Sequence, residues 1–134
     1  MKKLNTNQLG DVGTFGENIA AEYLVSQGYD IVERNAVCGG KEIDIIAKDM
    51  RYIIFVEVKT RTKYYGKSIY GSAARAVDRN KQSNIMSAAK IYLKENYHRR
   101  IPRFDVIEVY VEPTDDSFKV VNLNHLPRAF ASGR

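Results

Sequence analysis

No apolar run in the chain approaches the roughly 20 residues needed to span a bilayer as a helix, so an integral helical membrane protein is not expected. Cysteine occurs once, as Cys38, which excludes an internal disulfide and suits a reducing compartment. Histidine occurs twice, as His98 and His125 on distant segments. A structural zinc site draws on about four ligands at characteristic spacing, and none is visible. Cys38 reads as a small residue entering a turn at Gly39-Gly40 rather than as a nucleophile. The start Met1-Lys2-Lys3 is followed by polar Asn5, Thr6, Asn7 and Gln8, with no apolar stretch of the kind a secretory signal carries. A cytoplasmic protein is the expectation.

The 134 residues, 44% hydrophobic and 28% charged, fit one soluble globular domain with a real core. A net charge of +5 draws polyanions at long range. It is compatible with nucleic acid, with an acidic membrane face or with ordinary solubility.

Residues 1–12 read as a flexible polar tail and 13–131 as a single domain. Thr14, with Glu17 three residues on, has the form of a capping box. Phe15, Ile19 and Tyr23 make a helical stripe with Ala20 and Leu24 beside it, and Gly28 suits a helix stop. Helix is expected over about 14–27. Strand-like runs follow at 29–37, 42–48 and 52–60. The last, Tyr52-Ile53-Ile54-Phe55-Val56-Glu57-Val58-Lys59, is apolar on both faces until Glu57 and belongs inside a sheet. A loop is expected over 61–73. A second helix, carrying Ile85, Ala89 and Tyr92 on one stripe, is expected to end at about Asn96, and Pro102 bars its continuation. Strands over 103–111 and 118–123 and a short tail complete the chain. The order αβββαββ implies a layered α/β domain.

A hairpin around Met50-Arg51 that sets Lys48 near Ile53 also sets Asp44 near Glu57. Directly opposed residues bring their Cβ atoms to about 4.5–5.5 Å. Alternation places Glu57 and Lys59 on one face, and Asp44 shares it in this register. Two carboxylates side by side in an apolar sheet repel each other and lose solvation. A divalent cation such as Mg2+ or Mn2+ relieves both costs, because Mg2+ takes one or two carboxylates together with water and substrate phosphate. Lys59 would then orient the attacking water or stabilise charge in the transition state. The plainer reading is an exposed Glu57–Lys59 ion pair with Asp44 as a solvated edge residue. Glu17 reads equally as a further metal or water ligand and as a capping residue.

Residues 61–75 interleave basic and aromatic side chains: Arg61, Lys63, Tyr64, Tyr65, Lys67, Tyr70 and Arg75. Arg and Lys on phosphates with Tyr on bases would suit nucleic acid, and Arg79 and Lys81 could add phosphate contacts. A solvated loop and helix face is the alternative.

The stretches Gly13-Thr14-Phe15-Gly16-Glu17, Gly28-Tyr29, Arg34-Asn35, Glu42-Ile43-Asp44-Ile45-Ile46, Phe55-Val56-Glu57-Val58-Lys59-Thr60-Arg61, Gly66, Lys81, Arg103-Phe104-Asp105 and Ala129-Phe130 together resemble the small bacterial YraN-like proteins. That group is assigned to the PD-(D/E)XK nuclease superfamily. The resemblance implies a restriction-endonuclease-like mixed sheet flanked by helices. It also implies metal-binding roles for Asp44 and Glu57 and a catalytic role for Lys59. Glu17 is similar to the helix glutamate of archaeal Holliday-junction resolvases. Glu42-Ile43-Asp44 stands in place of the Pro-Asp of the superfamily name, and Lys41 where Gly is commoner. The expected activity is metal-dependent hydrolysis of phosphodiester bonds in DNA, branched or damaged DNA included. The alternatives are a non-catalytic nucleic-acid-binding module and an assembly protein. Related resolvases act as dimers, so the resemblance brings a homodimer with it as an option that no stretch of the sequence marks.

Overall fold

The most apolar strand stands at the centre of the sheet, where its sequence places it. A computed structural model describes residues 12–62, 79–96 and 99–131. Its elements are α1 (Val12–Ser26), β1 (Asp30–Cys38), β2 (Lys41–Lys48), β3 (Tyr52–Thr62), α2 (Arg79–Glu95), β4 (Ile101–Pro113) and β5 (Phe118–Phe130). The five strands lie in the order β1-β2-β3-β4-β5. All neighbours are antiparallel except β3 and β4, which run parallel. A parallel pair needs a long crossover, and α2 lies within it. The helices cover opposite faces. Ile85, Ala88, Ala89 and Tyr92 of α2 pack with Ile53, Phe55, Phe104 and Val106. Ala20 and Leu24 of α1 pack with Ile54, Val56, Ile107 and Val109.

Local chemistry fixes the connections. Gly28 (φ 96°) closes α1 as a Schellman cap: its N–H donates to Val25 C=O at 3.0 Å, and Tyr29 N–H to Leu24 C=O at 3.0 Å. Gly39 and Gly40, at φ 60° and 75°, join Cys38 to its partner Lys41 in a two-residue loop that needs positive φ at both positions. Asp49 Oδ1 accepts the N–H groups of Arg51 and Tyr52 at 2.8 and 2.7 Å, making the β2–β3 turn.

Several boundaries differ from the sequence expectation. Helix α1 begins at Val12, so Thr14 lies inside its first turn rather than at the cap, and Glu17 is not the third residue of a capping box. The buried residues of α1 are Gly16, Ala20, Ala21 and Leu24, with Phe15, Ile19 and Tyr23 at the margin. The small residues let the helix approach closely: a Cβ at Gly16 would overlap the Thr60 side chain. Strand β3 runs to Thr62, so Arg61 and Thr62 are strand rather than loop. Residues 1–11 of the expected tail, and most of the expected loop, lie outside the described residues.

Strand β5 extends past Leu123 to Phe130 because a bulge absorbs Pro127. Val106 pairs with Leu126 and Phe104 with Phe130, leaving three residues of β5 opposite Asp105. Arg128 sits there at φ 54°, and its N–H donates to Asp105 Oδ1 at 3.2 Å rather than to a ladder carbonyl. Asp105 is fully buried. It accepts Arg103 Nε at 2.9 Å and Nη2 at 2.8 Å, and lies 2.8 Å from His125 Nε2. His125 Nδ1 meets Tyr23 Oη of α1 at 2.9 Å, and Arg103 Nη2 donates to Tyr29 Oη at 2.9 Å. Burial alone would raise the Asp105 pKa, but the hydrogen bonds of His125 and Arg103 outweigh it and hold the carboxyl below its ordinary value. One carboxylate thereby ties α1, β4 and β5 together.

Asp105→Ala strands a buried guanidinium, and removing one partner of such a pair costs about 3–5 kcal/mol. Chemical denaturation should show that loss, against less than about 1 kcal/mol for an exposed Asp116→Ala control.

Candidate active site

The site forms where β2 leaves β3. Strand β2 pairs with β3 through Lys48↔Ile53, Ala47↔Ile54, Ile46↔Phe55 and Ile45↔Val56. Its first half, Lys41 to Ile43, pairs with β1. The register is the one expected from the hairpin. One step further it would set Asp44 against Glu57, and there the ladder stops. The Asp44 side chain takes over instead, Oδ2 accepting the N–H of Val58 at 2.8 Å. That bond anchors one carboxylate oxygen at the point of divergence.

Glu57 lies in the wedge so formed, only 4% exposed. Its Oε2 faces two ammonium groups, Lys59 Nζ at 3.5 Å and Lys81 Nζ at 3.8 Å. Its Oε1 is buried and has no hydrogen-bond partner, the one such side-chain atom among the described residues. Leaving a buried carboxylate oxygen unpaired is costly. The energetics show in its ionisation: burial, then the neighbouring charge of Asp44, push the Glu57 carboxyl up to about 7, against the pull of Lys81 and Lys59. The lysine side chains are 30% and 41% exposed, so both cations stand at the rim over a buried anion.

Of the residues expected to act, the fold brings together Asp44, Glu57 and Lys59. Lys81, expected as a phosphate contact, is placed by α2 at the same carboxylate. Helical periodicity put it on a solvated face; only the packing of α2 over β3 turns that face towards Glu57. Glu17 lies within electrostatic range of Asp44, while its carboxylate meets Arg34 Nη2 of β1 at 3.8 Å and bonds the Asn35 side chain. Burial and the charge of Asp44 still raise its pKa. Among the described residues, no three His, Cys, Asp or Glu side chains gather closely enough to hold a metal. Arg61, expected as a phosphate contact from a loop, is in β3 with its Nε 3.2 Å from Glu108 Oε2. Glu108 is 1% exposed, and its pairing with Arg61 is not visible in the sequence because it depends on the parallel pairing of β3 with β4. Arg79 is exposed at the start of α2. Lys63, Tyr64, Tyr65, Lys67, Tyr70 and Arg75 lie outside the described residues.

The donor set can be tested against an ion. Two carboxylates, one with a buried and unpaired oxygen, fit a hard divalent cation that completes its shell with water and phosphate. They do not fit zinc, which takes three or four protein ligands.

A five-stranded mixed sheet between two helices, with paired carboxylates and lysines at the fork of two strands, defines the class: an α/β domain with a charged site at a strand divergence. The chain belongs to the family described as Uncharacterised protein family UPF0102, whose model matches residues 16–109. That span includes Glu17, Asp44, Glu57, Lys59, Lys81 and Glu108. A UPF0102 protein of Caldanaerobacter subterraneus subsp. tengcongensis is 43% identical over 131 residues, covering 97% of this chain and all of its own length. A UPF0102 protein of Clostridium botulinum (strain 657 / Type Ba4) is 46% identical over 112 residues, covering 82% of this chain and 88% of its own.

The raised Glu57 pKa carries a sign. A carboxyl lifted from 4.5 to about 7 by folding favours the native state fully below the lower value and loses that contribution as pH rises through the upper one. In EDTA, Glu57→Gln should therefore match the wild type near pH 4. It should exceed it by about 2–3 kcal/mol at pH 8. Parallel stability curves for the two proteins would show that Glu57 titrates normally.

Proposed function

We propose that this chain is a metal-dependent endonuclease that hydrolyses phosphodiester bonds in DNA, branched or damaged DNA included. The observation that carries the reading is Glu57 Oε1, a buried carboxylate oxygen without a partner beside a second carboxylate, with two ammonium groups on its other oxygen. Asp44 and Glu57 would hold Mg2+ or Mn2+. When bound, such an ion polarises the phosphoryl oxygens and lowers the pKa of water.

The protein's own groups supply the rest. Asp44 is held in place by the Val58 N–H and needs no reorganisation to face an ion. Glu57 must be ionised to bind, so metal affinity strengthens as pH rises through about 7 and binding releases a proton. Lys59, beside the carboxylates, orients the attacking water and neutralises charge that develops on the phosphoryl oxygens. Lys81 reaches the same carboxylate from α2 with its side chain 41% exposed, and from that rim it contacts the phosphate. The net charge of +5 assists the encounter with a polyanion. No described helix is long and apolar enough to cross a membrane.

The test pairs calorimetric titration of Mg2+ and Mn2+ with cleavage of labelled single-stranded, duplex, flap and four-way-junction DNA. Asp44→Ala/Glu57→Ala should lose metal binding and cleavage together. Lys59→Ala should keep metal binding and lose roughly 100- to 1000-fold in kcat, the scale of one transition-state donor. A wild type that binds no divalent ion, with or without DNA, and cuts none of the four substrates would refute the reading.

A further inference from the structure

At the end of the sheet away from Glu57, three guanidinium groups gather on one phenol ring. The Cζ atoms of Arg103, Arg128 and Arg51 lie 4.8, 5.2 and 5.8 Å from the centroid of Tyr52. Only Arg103 has a carboxylate, Asp105, 2.8 Å from its Nη2. Arg51 and Arg128 are exposed, and among the described residues neither has a carboxylate within ion-pair distance. The nearby Asp49 spends its carboxylate on the backbone N–H groups of Arg51 and Tyr52. Cation–π attraction holds each guanidinium on the ring, and Asp105 offsets Arg103, yet Arg51 and Arg128 remain two like charges over one ring.

Two further features sit at the same place. Arg128 is held at φ 54°, a backbone region that costs a non-glycine residue energy and persists where the surroundings enforce it. Here the enforcement is its N–H bond to buried Asp105, and the result aims its side chain back over Tyr52, whose hydroxyl accepts from it. Beside the cluster opens a cleft of about 360 Å³, whose polar wall is Tyr52, Arg103 and Arg128 and whose apolar wall includes Pro102, Phe104 and Phe130.

We propose that this cleft binds a phosphate group attached to a flat apolar body, the chemistry of a nucleotide. Arg128, on the cleft wall, is its phosphate donor, Arg51 reaches in as a second from over the same Tyr52 ring just outside the lining, and the Phe104–Phe130 side receives the base. An oxyanion there removes the repulsion that the protein leaves unmatched. The site is separate from the carboxylates: Tyr52 and Glu57 stand five residues apart on β3, about 17 Å at strand rise. Its existence does not rest on the nuclease reading. The phosphate has two conceivable sources, a free nucleotide and the backbone of a strand, and the ligands below separate them.

The full chain in EDTA would be titrated calorimetrically with inorganic phosphate, with adenosine 5′-monophosphate, and with a short single-stranded oligonucleotide lacking terminal phosphates. Arg51→Gln/Arg128→Gln should weaken whichever ligand binds by roughly tenfold or more. For the oligonucleotide, it should also reduce the slope of log K against log salt by about 1.5, the effect of two phosphate contacts. Arg128→Lys should retain most of the affinity, and Asp116→Asn, in the exposed turn between β4 and β5, all of it. Loss of mononucleotide affinity identifies a free nucleotide as the ligand, and loss confined to the oligonucleotide identifies a strand. Both substituted side chains are exposed and the Arg128 N–H is retained, so a thermal melt should match the wild type. The proposal is overturned if no ligand binds, if the double variant binds as well as the wild type, or if Asp116→Asn loses the same affinity.

Discussion

The whole arrangement turns on one buried anion. Glu57 sits in the most apolar strand of the sheet, with one oxygen against two lysines and the other buried without a hydrogen-bond partner in the fixed geometry, beside the Asp44 carboxyl. Its neighbour is a second carboxylate, so solvation and charge both work against ionisation, and the carboxyl rises to about 7. A fold optimised only for stability would place an apolar side chain there. An arrangement that costs stability where two lysines converge on one buried acid beside a second is the pattern of a candidate ligand site.

The surrounding structure serves to keep that wedge open and rigid. Strand β2 pairs with β1 along the half that leaves β3, so its divergence is a hydrogen-bonded feature and not a frayed end. The Asp44 side chain occupies the amide of Val58 and prevents the strands from closing. Helix α1 is brought close by Gly16 against Thr60, one strand residue beyond Lys59. The same helix is tied at its other end by Tyr23 to His125 and thence to Asp105. Helix α2 packs on the opposite face and delivers Lys81. Asp105 contributes at a distance, since its bonds to Arg103 and to the bulge at Arg128 fix both the outer strand and the separate arginine cluster.

Much of this was legible in the sequence, for identifiable reasons. The apolar run before Glu57 marked a central strand, the Met50-Arg51 turn fixed the hairpin register, and alternation then put Glu57 and Lys59 together. These are local rules with short range. What escaped depended on long range or on interrupted periodicity. Lys81 reaches Glu57 only through the packing of α2. A strand is expected only over 118–123, and β5 runs on to Phe130 because the bulge opposite Asp105 accommodates Pro127. Thr14 with Glu17 has the spacing of a capping box, but the helix starts earlier, at Val12. Arg61 beside a tyrosine-rich run suggests a phosphate contact, and no local pattern reveals Glu108 across a parallel strand pair. His125 had no evident partner until the fold set it between Asp105 and Tyr23.

The proposed metal site would take its ion between Glu57 Oε1 and Asp44. The most direct measurement is the anomalous difference map of crystals soaked in Mn2+ at a pH above 7, where Glu57 is ionised. The proposed site gives a peak at coordination distance from both Glu57 Oε1 and Asp44, with Lys59 and Lys81 left at the rim. A map in which Mn2+ is absent from that wedge, with Lys59 and Lys81 still closing on Glu57, would contradict it and leave the carboxylate pair as an internal ion-pair network.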